Sequence, residues 1–215
     1  MIKKYPQHHL AKQSRFRLAS ALYESQKYEE SAQTFKEFSK SGSGEALAAD
    51  ALFNQALAWS RAKNDPLTLK SYEELLRRFP RYPKQEWIWL QVALLQEEAG
   101  QWRKAIDAYT HVLNNREERL QAQLAIGRCY EKLKNIPLAM KAYEKLLSLQ
   151  PKNDSRRLSG LARLGLLYEI KKQQNKALNI YVEVSHYPLE ATLAKLVQQR
   201  MQFILRRQEE ISKAN

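Results

Sequence analysis

The sequence predicts an all-α solenoid of five antiparallel helix pairs closed by a C-terminal capping helix. Three observations carry this. Aromatic residues recur at Phe35, Tyr72, Tyr109, Tyr143 and Tyr181, at spacings of 37, 37, 34 and 38. Other positions keep a fixed register to each aromatic. Sixteen residues before stand Ala19, Ala56, Ala93, Gly127 and Gly165; four before stand Ser31, Thr68, Ala105, Ala139 and Ala177; three after stand Phe38, Leu75, Val112, Leu146 and Val184. Finally, the 215 residues include only 6 Gly and 7 Pro while 44% are hydrophobic, which suits helices joined by short turns. Two antiparallel helices at about 8–10 Å need small side chains where their backbones approach, and the aromatic fills the adjoining gap. A fixed period of this length marks stacked repeats in which each unit buries its face against its neighbours.

In chain order, residues 1–6 read as the tail of a preceding partial repeat, because Pro6 falls where Pro80 and Pro151 fall. The first repeat covers 7–43, with helices from about His9 to Ser25 and Tyr28 to Lys40, and ends in the flexible Ser41-Gly42-Ser43-Gly44. The second covers 44–83. Its second helix is expected to start at Asp65-Pro66, the Asp capping a free N–H and the Pro needing none. Pro80 and Pro83 end it. The third covers 84–115, with Gly100 suited to a left-handed helix end. The fourth covers 116–154 and the fifth 155–187, with Asp154 or Ser155 as its cap. From Pro188, residues 188–215 form the capping helix, whose apolar face holds Leu189, Leu193, Leu196, Val197, Phe203, Ile204 and Ile211.

The fullest copy of the period is Gln123–Pro151, QLAIGRCYEKLKNIPLAMKAYEKLLSLQP. Its Ile126-Gly127 pair, Tyr130, Ala139, Tyr143 and closing Pro151 resemble the tetratricopeptide (TPR) repeat. Gln96 stands where the first helix of that pattern has an aromatic, and Gln55 departs in the second copy. The resemblance implies a right-handed superhelix whose first helices line a concave groove for a protein or peptide partner. On that reading the groove residues are Phe16, Arg17, Phe53, Asn54, Trp87, Leu90, Gln91, Leu94, Arg128 and Arg163. Trp87 is expected to face the groove because Trp89, two residues on, takes the core site of the repeat. The Lys, Asn and Arg set with which chaperone-binding members hold a terminal carboxylate is not matched: Asn54 fits, but Phe16, Ser20, Trp87 and Gln91 occupy the other places.

No catalytic signature is present. There is no Gly-rich phosphate loop, HExxH or CxxC, so no catalytic residue, metal or cofactor is expected. The four histidines, His8, His9, His111 and His186, read as surface or helix-end residues, and the single Cys129 as a buried thiol. No apolar run approaches the ~18–20 residues that span a bilayer, and MIKKYPQHHLAKQSRFR has no apolar core behind its charges, so it does not read as a signal peptide.

The net charge of +13 favours acidic partners. Nucleic acid is the alternative partner, ranked behind protein because no face interleaves basic residues with stacking aromatics. The Lys4-Tyr5-Pro6 and Phe79-Pro80-Arg81-Tyr82-Pro83 closures are similar to those of bacterial envelope TPR proteins, the barrel-assembly lipoprotein and the Tol–Pal coordinator. That implies a scaffold in a cell-envelope assembly, the periplasm ahead of the cytoplasm.

Overall fold

The computed structural model describes residues 9–41 and 44–214. The expected tail at 1–6 and the middle of the Ser41–Gly44 linker lie outside the described residues. Two compact units divide the chain, residues 1–99 and 100–215. The first holds α1 (His9–Glu24), α2 (Tyr28–Ser39), α3 (Glu45–Arg61), α4 (Asp65–Arg78) and α5 (Gln85–Glu98). The second holds α6 (Trp102–Thr110), α7 (Arg119–Lys132), α8 (Ile136–Glu144), α9 (Ser155–Ile170), α10 (Gln174–Ser185) and α11 (Ala191–Ala214). Among the described residues there is no strand. Within each unit consecutive helices pack on one another, and in the second α7 also meets α9, and α9 meets α11.

Every position of the register is buried: the five aromatics, the small residues sixteen and four before them, and the apolar residues three after. Each buried aromatic contributes on the order of 2–3 kcal/mol of apolar transfer. The size rule is tighter than the sequence suggested. At Gly127 a Cβ would lie 2.1 Å from Cε1 of Tyr143, and at Gly165 2.5 Å from Cε1 of Tyr181, so even alanine is too large there. Ser31 has a polar use for its small side chain, its Oγ donating to the carbonyl of Ala19 at 2.8 Å.

The turns between paired helices repeat as faithfully as the core. Gln26, Lys63, Gly100, Lys134 and Lys172 all have positive φ, 56–69°, and each stands nine residues before its aromatic. Only the third is glycine. One residue later, Asn64 and Asn135 cap α4 and α8, their Oδ1 atoms accepting from the N–H of Leu67 and Leu138 at 3.2 Å. The cap of α4 is therefore Asn64 and not Asp65, which is the first residue of the helix. Asp154 caps α9, accepting from Arg156 N–H at 2.8 Å.

Two helix ends differ from expectation. α8 stops at Glu144 and runs on as a 3-10 turn, Lys145–Ser148, ahead of Pro151. α11 begins at Ala191, three residues after Pro188. The loop that follows the 3-10 turn is tied down by Arg157, which is 1% exposed. Its guanidinium donates to the carbonyls of Leu146 (2.9 Å), Lys152 (2.9 Å) and Leu147 (3.2 Å) and to Glu183 (3.1 Å). α11 caps the second unit as expected, burying Val197 and Ile204.

Candidate functional site

In the first unit the predicted groove residues separate by burial. Phe16 is half-buried, with its ring edge-on to Phe35 and Phe38 at 5.2 Å each, so it belongs to the core of its own helix pair. Leu90 is 5% exposed and likewise forms core. These two residues do not form an open apolar floor: α1 and α5 turn their large side chains toward their partner helices. Arg17 is exposed, and Asn54, Gln91 and Leu94 are partly exposed.

Trp87 is 40% exposed and rests edge-on against Phe53 (5.8 Å) and Tyr72 (6.0 Å). Phe53 itself is nearly covered. Tyr82 lies 5.7 Å from it, and the Lys84 ammonium sits 4.7 Å from its ring centroid. Tyr82 in turn donates its hydroxyl to Asp50 at 2.9 Å. Burial and that hydrogen bond raise the Tyr82 pKa. The segment between α4 and α5 thus closes over α3 and leaves Trp87 as the exposed ring of the cluster. The roles of Tyr82 and Lys84 were missed in the sequence, although the Tyr82-Pro83 closure marked the place.

The other two predicted residues, Arg128 and Arg163, belong to the second unit. Arg128 is half-buried. Arg163 is exposed and paired with Glu131 at 3.3 Å. Glu131 also accepts the hydroxyl of Tyr143. The same trio recurs one repeat later: Tyr181 donates to Glu169 at 2.7 Å, and Arg200 Nε donates to Glu169 at 3.0 Å. Both glutamates stand twelve residues before their aromatic, a regularity legible in the sequence but not read there. A cleft of about 400 Å³ lies between α9 and α11, lined by Leu124, Leu158, Ser159, Leu193 and Leu196 with Arg156 at its edge. Arg156 is held by Asp154, whose pKa its hydrogen bonds lower.

Among the described residues no cluster of His, Cys, Asp or Glu could hold a metal, and no helix is long and apolar enough to cross a membrane. The geometry offers apolar and charged surface on helices.

A search of the curated proteins finds no match. Among solved structures the fold is similar to a tetratricopeptide repeat protein from Parabacteroides merdae ATCC 43184 (TM-score 0.60, 17% identity, 94% of this chain and 75% of that one). It is similar also to MamA 41-end from Desulfovibrio magneticus RS-1 (TM-score 0.55, 13% identity, 81% and 93%). A chain of the Naa15/Naa10 complex bound to HypK-THB aligns over 99% of this chain and 31% of its own length (TM-score 0.66, 17% identity). The family model described as tetratricopeptide repeat matches residues 16–83 and 90–154. Those two segments make up more than half of the sequence, and the chain belongs to the tetratricopeptide repeat family.

Proposed function

We propose that this chain is a non-catalytic scaffold that holds a segment of a protein partner against its first helices, with Trp87 as the main apolar anchor. The TPR repeats support a protein-interaction scaffold as the general function. The observation that carries the finer reading is the exposure of Trp87 on a rigid bed of Phe53 and Tyr72. Interface hot spots are typically aromatic or Arg residues held rigidly near desolvated surface. Asn54, Gln91 and Leu94 would flank the anchor, and Arg17 would favour acidic groups on the partner. In the second unit, Arg128 and Arg163 offer the same charge beside Leu124. A bacterial cell-envelope assembly is the setting we propose, resting on the Tyr-Pro and Phe-Pro closures alone.

The test is an affinity pull-down with the full-length protein from a bacterial lysate and envelope fraction, followed by measured affinity for the protein retained. Trp87→Ala is expected to weaken that affinity by more than about 1 kcal/mol. Because the ring packs edge-on with two others, the variant also loses on the order of 0.5–1.5 kcal/mol of stability. Unaltered affinity together with a larger loss of stability would assign Trp87 to the core and move the partner elsewhere.

A further inference from the structure

The positive charge is divided unequally along the chain. Residues 100–215 carry 21 Lys and Arg against 11 Asp and Glu, a net of +10, whereas residues 1–99 carry 15 against 12, a net of +3. In the second unit much of this charge collects at one end. α7 and α9 pack side by side, and α6, α8 and α10 run antiparallel to them, so the start of α6 and the α7–α8 and α9–α10 turns share an end. That end carries Arg103, Lys104, Lys132, Lys134, Lys171, Lys172 and Lys176, all exposed. Two acids flank these turns, and both are engaged: Glu131 by Tyr143 and Arg163, Glu169 by Tyr181 and Arg200.

Exposed aliphatic side chains accompany the lysines. Ile170, 66% exposed, directly precedes Lys171, and Leu138 lies in the first turn of α8. α11 reaches the same end, since Gln208 bonds Asn175 in the first turn of α10 at 2.8 Å. Its remaining residues, with exposed Ile211 and Lys213, run on for roughly 9 Å at the helical rise.

We propose that this end of the second unit docks on an anionic membrane surface. Basic residues near such a surface each strengthen binding by roughly fivefold, and aliphatic tips add burial at the headgroup boundary. A single-stranded nucleic acid would call for exposed rings on which bases stack. Here Lys132 lies over Trp102 at 6.0 Å and Lys176 over Tyr168 at 5.6 Å, while the bare apolar groups are aliphatic. The surface is distinct from the Trp87 patch, and neither proposal depends on the other.

The experiment is co-sedimentation of the full chain with vesicles of phosphatidylcholine, with and without phosphatidylglycerol, over a salt series. Binding is expected only to the anionic vesicles and to weaken as salt rises. Lys171→Glu, Lys172→Asn and Lys176→Glu together should lower partitioning by at least about tenfold; asparagine keeps the left-handed backbone at 172 accessible. Ile170→Ser, which leaves the net charge unchanged, should lower it severalfold. If the triple variant loses helicity, the Ile170→Ser comparison decides. Equal binding to neutral and anionic vesicles, full binding by Ile170→Ser, or lysine-dependent binding of an oligoribonucleotide with none to vesicles would each overturn the proposal.

Discussion

Gly127 leaves no room for one further carbon. The Tyr143 ring stands where a Cβ would go, and the same holds for Gly165 and Tyr181. At Ala19 and Ala56, which hold the same place in the register, a methyl is accommodated and fully buried. Glycine and alanine are therefore not interchangeable among the repeats. Gly127→Ala should destabilise the chain by about 1–3 kcal/mol through displacement of the tyrosine ring, measured as a lower denaturant midpoint at unchanged slope. A midpoint equal to wild type would mean that the helices separate at no cost. The rule of small residues was legible because it recurs; the difference between zero and one carbon was not, because helix separation is a tertiary quantity. Arg157 was illegible for a related reason. Its neighbour Arg156 differs from it only in where the helix points it, and one is exposed to solvent while the other is buried against three carbonyls.

Among the elements, the turns inside the repeats are the most uniform and were the least legible. A left-handed residue nine places before each aromatic is what lets the second helix return against the first, yet four of the five are Gln or Lys. An L-residue in that conformation costs roughly 1–2 kcal/mol, and glycine avoids it. Gly100 has only ordinary contacts around its missing Cβ, the nearest 3.7 Å away in Trp102, so Gly100→Ala tests the backbone alone. It should cost about 1 kcal/mol, and Lys134→Gly should be neutral or stabilising by a similar amount. Thermal melts of the two variants check the pair; shifts in one direction for both would refute the backbone account. Gly100 was read correctly from sequence because glycine advertises this conformation, whereas lysine does not. The cap at Asn64 was misread as Asp65 for the opposite reason: both residue types cap well, and only the backbone distinguishes them. The groove residues were half legible. The alternation that points Trp87 outward while Leu90 is buried follows from helical period, but Phe16 needed the Phe35 and Phe38 rings to be seen as core.

For the whole molecule, the tyrosines set an alkaline limit. The hydroxyls of Tyr72, Tyr82, Tyr143, Tyr168 and Tyr181 all have raised pKa values, chiefly from burial, with Tyr168 pushed up to about 12. In four of them a hydrogen bond to Asp or Glu adds to the effect. An unfolded tyrosine ionises near pH ~10. The stability these groups contribute is thus complete below about pH 10 and is lost as pH rises through the folded values, because the unfolded chain releases protons that the fold retains. Helicity by circular dichroism should hold to about pH 10 and then fall together with the rise of tyrosinate absorbance. Full ionisation at the ordinary pH with helicity intact would contradict it. The architecture was the most legible level of all, since one period generates it. The concentration of charge in residues 100–215 was present in the sequence too, and the interleaving of acids along the chain hid it until the fold showed which acids are already engaged.

Glu131 and Glu169 each answer to two repeats at once, taking a hydroxyl from their own and a guanidinium from the next. Such a shared carboxylate gives the second unit a short correlation length. A disturbance at Arg200 reaches Tyr181 in one step, but has no comparable polar route to Tyr143, whose carboxylate is held by Arg163. Deformation imposed by whatever binds one repeat would then fade over its neighbour instead of travelling down the unit. In mechanical terms it behaves as a row of vertebrae, able to bend at one joint while the next keeps its shape.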